Sequence, residues 1–358
     1  MTKRTLKRFL ASPWVLRVAS AFAGNTLLVL GYHRIARRGR RTDLADSLFG
    51  PDELEFEQQV ARLARDTQPM SETMVLECIS SGSPFPPKAT LVTFDDGYRD
   101  NFTIAAPILK RFGVPAIFFI PTASISERRV GWWDEIAWTI KETNVRTARI
   151  AGEHYDLSGP NKAAAIESLI ARLKAAGKAQ RELWLADLRH ECRTHGVPRE
   201  LADSALMTWE QVHALQEFVV SVGGHTVTHC MLSELDEEAQ ARELSDSKAE
   251  LELRTGRPVL SVAYPFGGAD HFNAATKAAA RRIGFRLGFS LVRGINRADR
   301  LDPLAIHRIM PPADINSFAL RVNLPGLMLN GWRFWNGRGA ECALADDTSG
   351  GERRGRRS

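Results

Sequence analysis

The stretch Thr90-Leu91-Val92-Thr93-Phe94-Asp95-Asp96-Gly97 carries an apolar, β-branched run straight into two adjacent carboxylates and a glycine. Such a run reads as a buried strand, and the residues after it as the turn at its C-terminal end. In α/β barrels that end is the face where active sites form. Two carboxylates side by side there can divide labour, one binding a cation and the other acting as a base. By itself, an Asp-Asp-Gly run is as readily a turn in which Asp95 or Asp96 caps the next helix.

The same alternation extends in both directions. Candidate strands are Thr26–Leu30, Thr90–Phe94, Ala116–Ile120, Phe218–Val222, Leu260–Tyr264, Arg286–Leu291 and Ala305–Ile309. Between them lie helical patterns at 53–65, with Phe56, Val60 and Leu63 on one face, at 101–112 before Gly113, and at 234–254 with Ser233 as N-cap and Gly256 after its end. Seven βα units favour a barrel-like closure over a single doubly wound sheet. Residues 131–207 interrupt the rhythm with a tryptophan-rich start (Trp132, Trp133, Trp138) and an alanine-rich helical middle. This is an insertion after the third strand, placed to be a lid or substrate wall, or else a helical hairpin with the tryptophans in its own core. The expected organisation is a leader at 1–25, a barrel at 26–315 containing the insertion, and a C-terminal extension at 316–358 whose Gly-, Asp- and Arg-rich end from Asn336 reads as a solvated tail.

Two further motifs come directly after strands. Gly223-Gly224-His225-Thr226-Val227-Thr228-His229 places two histidines four apart, where one helical turn would bring both to one metal. Alone, the pair is as well read as two surface histidines. With an aspartate from another strand end it makes a set that leaves coordination positions open, as a catalytic metal requires. Tyr264-Pro265-Phe266-Gly267-Gly268 is a rigid turn whose backbone N–H groups could hold a developing oxyanion, or simply a Pro-Gly link to the next helix.

Composition narrows the class. The chain has 358 residues, 44% hydrophobic and 25% charged, which fits one large α/β barrel or two ordinary domains. No apolar run approaches the roughly 20 residues of a membrane-spanning helix, which excludes a multi-span protein. The net charge of +6 is a property of one end, because residues 1–41 hold ten Lys or Arg and no acid, leaving −4 for the rest. That distribution, with no nucleic-acid-binding motif, argues against a nucleic-acid partner. Residues 9–22 read as an interfacial amphipathic helix rather than a cleaved signal, because Arg17 interrupts the apolar core. The expectation is a cytoplasmic enzyme peripheral to the inner face of the membrane, with export as the alternative. Four cysteines without a CxxC pair give no disulfide framework or zinc ribbon.

Taken together, TFDDG at 93–97, HTVTH at 225–229 and YPFG at 264–267 resemble the motifs of polysaccharide deacetylases, carbohydrate esterases that share the NodB homology domain. Leu30-Gly31-Tyr32-His33-Arg34, Val114–Phe119 and Met207-Thr208-Trp209-Glu210 add to the likeness, which runs from about residue 27 to 312. The resemblance implies a distorted (β/α)7 TIM-like barrel. It also implies a metal-dependent hydrolase that removes N-acetyl groups from hexosamine-containing glycans and releases acetate. Asp95 would be the base, Asp96, His225 and His229 the ligands of a divalent metal, usually zinc, and the Phe266 N–H an oxyanion donor, with Tyr264 and Gly267 beside it.

Two positions depart from the family pattern. Ala263 stands where an arginine usually orients the catalytic aspartate, so either another group tunes the base or activity is lower. The general acid, usually a late histidine, has His307 as its candidate and His33 in reserve, and Trp133 is a further candidate for the site. These departures keep open a second reading, a weakly active relative that binds glycan or a glycan-assembly partner.

Overall fold

The computed structural model describes residues 25–36 and 42–323; the amphipathic segment expected at 9–22 and the tail from Asn336 lie outside them. Six of the seven expected runs are strands: β1 (Thr26–Tyr32), β2 (Ala89–Phe94), β3 (Ala116–Ile120), β4 (Val220–Gly224), β5 (Ser261–Ala263) and β6 (Leu287–Phe289). They run parallel in the order β6-β5-β4-β3-β2-β1. Crossover helices cover one face, where Val92 and Phe94 pack with Phe56 and Leu109, while Leu91 on the other face packs with Val29, Ile117, Phe119 and Phe289 of the other strands, so every residue of β2 is buried. A short antiparallel strand β7 (Asn296–Arg297) flanks the start of β1, and Gln68–Pro69 pairs with the start of β2.

The seventh run, Ala305–Ile309, is not a continuous strand. It pairs at two points, Ile306 with Phe289 of β6 and Ile309 with Leu30 of β1. Between them the backbone of His307 is held by the Asn296 side chain, which accepts its N–H at 2.9 Å and donates to its carbonyl at 2.9 Å. The segment thus ties β6 to β1 and curls the sheet into a distorted barrel.

Helix α1 (Glu53–Asp66) opens with a capping box between Asp52 and Glu55 and buries Phe56, Val60 and Leu63. Helix α2 (Ala106–Phe112) continues from a π-type turn at Asn101–Ala105 and stops at Gly113 with φ +65°. The insertion consists of α3 (Trp132–Glu142), an antiparallel hairpin (Thr147–Ile150 with Glu153–Asp156), α4 (Asn161–Ala175), α5 (Lys178–Cys192) and α6 (Arg199–Ala205). Its Ile136, Ile140, Leu169 and Leu188 join the same buried cluster as Phe94 and Phe118 of the barrel, so its apolar core is not separate. Helix α7 (Glu237–Thr255) begins three residues later than expected. Its cap is Asp236, which accepts the Ala239 N–H at 2.7 Å, whereas Ser233 lies in the preceding turn. Helix α8 (Ile315–Asn323) buries Phe318 and packs on α1, so the packed body continues past residue 315. No described helix is long and apolar enough to cross a membrane.

Candidate active site

The strand ends place the chemistry. Asp95 and Asp96 leave β2, His225 leaves β4 and Phe266 comes after β5, so all four meet at the C-terminal rim of the sheet. The turns that aim them are strained: φ is positive at Asp96 (+73°), Thr226 (+62°), His229 (+55°) and Phe266 (+60°). Non-glycine residues hold such angles at a cost, and they cluster where function demands the geometry.

Asp96, His225 and His229 offer ligand atoms that all lie within 4.8 Å of one another. Asp96 Oδ1 is 3.1 Å from His229 Nε2 and 3.4 Å from His225 Nε2, yet it is buried without a hydrogen-bond partner. Three donor atoms converging on one point without hydrogen-bond geometry is the arrangement that a cation completes, and the carboxylate–bis-imidazole set suits zinc and its neighbours. Burial raises the Asp96 pKa, but the two imidazoles outweigh it and hold the carboxyl well below the usual range. The histidines reach this point from an irregular loop with left-handed residues at Thr226 and His229, not along the helical turn expected from their spacing. His225 is oriented through Nδ1, 2.7 Å from the Ala263 carbonyl.

Asp95 faces a different partner. Arg308 Nη1 and Nη2 donate to its two oxygens at 2.7 and 2.8 Å. The same guanidinium donates to Thr93 Oγ1 at 3.1 Å and, through Nε, to the Ser290 carbonyl at 2.8 Å. Arg308 is 1% exposed and Asp95 2%. Burial raises the Asp95 pKa, and the Arg308 charge and hydrogen bonds, with the charges of His225 and His33, together bring it below the ordinary value, so this carboxylate stays ionised. An arginine is therefore present at the base after all; it arrives from the segment that closes the barrel rather than from position 263. Ala263 instead packs in an apolar cluster with Phe119, Phe289 and Ile306, and the Arg308 guanidinium lies over the Phe119 ring at 5.6 Å. Sequence reasoning missed Arg308, although the alternation Leu304, Ile306, Arg308 on a buried face was the available signal.

That alternation also separates His307 from Arg308. His307 packs against Gly294, where a Cβ would come within 2.8 Å of its ring, and its Nδ1 is buried without a partner. His33, at the end of β1, has Nε2 4.0 Å from Asp95 Oδ2. Of the two histidines considered for the acid, the structure brings His33 to the carboxylates.

Phe266 closes the aromatic side: its ring lies 5.0 Å from His229 and 5.8 Å from Trp133. Its N–H donates to no group among the described residues. Gly267 (φ +59°) is obligatory, because a Cβ there would fall 2.5 Å from the Leu291 nitrogen. Tyr264 turns away, stacking on Phe272 and donating its hydroxyl to the Leu304 carbonyl at 2.9 Å. It braces the wall rather than lining the site.

A cavity of about 460 Å³ lies over Asp96 and His229. Trp132 and Trp133 line it together with Lys178, Arg181 and Arg189 of α5, the Arg181 guanidinium lying over the Trp132 ring at 5.4 Å. Arg189 is paired with Glu135, and Arg181 donates to the carbonyls of Leu173 and Ala176. Lys178 has no ion pair among the described residues. The volume suits a small organic ligand, and the insertion walls it.

Comparisons with known proteins bear on the family and the fold. The family model for polysaccharide deacetylase matches residues 82–288. A Bacillus subtilis (strain 168) protein, YxkH, named for the same family, is 22% identical over 222 residues, covering 62% of this chain and 51% of its own. A poly-beta-1,6-N-acetyl-D-glucosamine N-deacetylase of Escherichia coli (strain K12) is 43% identical over 51 residues, 14% of this chain and 8% of its own. The chain thus spans about half the length of the first of these relatives and a small part of the second. In fold it resembles the Streptococcus pyogenes deacetylase PplD, solved in complex with acetate (TM-score 0.55, 19% identity, 84% of this chain and 98% of that one). It resembles IcaB from Ammonifex degensii to a similar degree (TM-score 0.53, 19% identity, 84% and 98%). With its motifs at the strand ends and the family model matching more than half its length, the chain belongs to the polysaccharide deacetylase family.

Proposed function

We propose that the protein is a metal-dependent deacetylase that hydrolyses N-acetyl groups of hexosamine-containing glycans, releasing acetate and leaving a free amine. The observation that carries this reading is the pairing of Arg308-held Asp95 with the adjacent Asp96–His225–His229 set. A divalent cation held by Asp96, His225 and His229, zinc by the donor set, would supply Lewis-acid polarisation of the acetamide carbonyl and acidify a nearby water. Asp95, ionised and fixed by the Arg308 fork, takes the proton of the attacking water. The Phe266 N–H donates to the oxygen that gains charge as the tetrahedral centre forms. His33 stands where it can protonate the departing amine. Trp132 lines the cavity between Phe266 and the Arg181 guanidinium, and the α5 wall confines the substrate to what enters.

The weakly active alternative drew on Ala263 and on the uncertain general acid, and Arg308 answers the first of these. The ten uncompensated Lys and Arg of residues 1–41 support a peripheral place at a membrane surface, with lipid-linked or oligosaccharide intermediates as substrates. Deleting residues 1–22 is expected to shift the protein from the membrane to the soluble fraction; unchanged fractionation would contradict this placement. The activity is tested by acetate release from chito-oligosaccharides and poly-N-acetylglucosamine by zinc-loaded protein, with and without chelator. Binding without turnover by the metal-loaded protein would refute it.

A further inference from the structure

The two histidines of the site are supported in different ways. His225 has the Ala263 carbonyl behind it at 2.7 Å, the outer hydrogen bond that usually fixes a metal-binding imidazole. His229 Nδ1 is buried with no hydrogen-bond partner, and its backbone is left-handed at φ +55°. Its ring is flanked instead by Trp133, with centroids 4.8 Å apart at 62°, and by Phe266 at 5.0 Å and 76°. Trp133 cannot easily yield. Its Nε1 donates to the Tyr98 hydroxyl at 3.0 Å, which donates to Asp134 Oδ2 at 2.6 Å, and Asp134 Oδ1 accepts the Ala45 N–H at 2.9 Å. Tyr98, Trp133 and Asp134 are all buried, and the Arg34 guanidinium covers the Tyr98 ring at 4.6 Å. On the other side Gly131 leaves room for the indole, since a Cβ there would lie 2.3 Å from the ring.

We infer that Trp133, locked by Tyr98 and Asp134, is the positioning residue for His229, doing by packing what the Ala263 carbonyl does for His225 by hydrogen bonding. The first helix of the insertion thereby sets the metal affinity of the site as well as walling its cavity. This rests on the metal-site reading above.

The test compares full-length wild type, His229→Ala, Trp133→Phe and Tyr98→Phe. Zinc affinity is measured by chelator competition, the cobalt(II) absorption spectrum is recorded for each, and thermal unfolding is followed without metal. Trp133→Phe keeps a ring but loses the N–H anchor, and Tyr98→Phe breaks the relay behind it. Each is expected to weaken zinc binding about tenfold, the lower end for a partner that supports a ligand from behind, and to alter the cobalt spectrum, at a metal-free Tm close to wild type. Wild-type affinity and spectrum in both variants, with affinity lost in His229→Ala, would overturn the inference alone. So would a loss of affinity that merely tracks a fall in metal-free Tm. A wild type that binds no zinc, or a His229→Ala variant that binds as tightly as wild type, would overturn the metal-site reading and this inference with it.

Discussion

At the rim of the barrel, Asp95, Asp96, His225 and Phe266 each lie within three residues of a strand end, so hydrogen-bonded ladders fix their origins. Across the cavity, Lys178, Arg181 and Arg189 project from one face of α5, a helix that joins the barrel through side-chain packing. The rim is nearly dry and its charges are mutually committed, Asp95 to Arg308 and Asp96 to the two imidazoles. The α5 wall is partly open, and Lys178 is uncommitted among the described residues. The difference teaches where reaction and selectivity divide: rim substitutions should act on kcat, wall substitutions on KM.

The largest effect belongs to the rim. Asp95→Asn, or loss of either histidine ligand, is expected to lower kcat for acetate release by about 10³-fold or more. A comparable kcat loss from Lys178→Ala would break the division. Next comes Arg308. Arg308→Met leaves the Asp95 carboxylate buried without its cation, so kcat should fall by about 10²-fold, with Arg308→Lys intermediate because it keeps the charge but loses the fork. The sign with pH is set by the lowered Asp95 pKa. The wild-type Asp95 carboxyl is held below the ordinary value, about 3.9, and the favourable ion pair is lost as pH falls through that lowered value. Without Arg308 only the charges of His225 and His33 oppose burial, and the acid limb of the pH–rate profile should move up; an unmoved limb would remove Arg308 from the base.

Asp134 gives the opposite sign. Burial, only partly offset by the Arg34 charge, raises its pKa to about 6, so its contribution is full below the ordinary carboxylate value and is lost as pH rises through 6. Denaturant unfolding should show wild type losing on the order of 2–3 kcal/mol relative to Asp134→Asn between pH 4 and pH 7. A constant difference would refute that assignment. The smallest effect is at the cavity wall, where Trp132→Ala should raise KM about tenfold with kcat within about threefold, by loss of a lining indole on which Arg181 packs.

Much of this was legible in the sequence because strand ends advertise themselves. The runs ending at Phe94, Ile120 and Gly224 are apolar and β-branched, and the residues immediately after Phe94 and Gly224 carry the chemistry. The illegible part depends on side chains meeting across distant segments. Arg308 reads as a surface arginine until the closing segment turns it inward, 213 residues from Asp95. His33 gains its place over His307 only when β1 is set beside β2. The hairpin at 147–156 was hidden inside a helical composition, and the left-handed residues of the histidine loop obey no periodicity.

A zinc-soaked crystal structure with anomalous scattering tests the central claim most directly. The account predicts one strong peak at roughly 2.0–2.2 Å from an Asp96 oxygen and from Nε2 of His225 and His229, with Asp95 outside the coordination shell and still clasped by Arg308. A peak elsewhere, or Asp95 drawn onto the metal with Arg308 displaced, would contradict it.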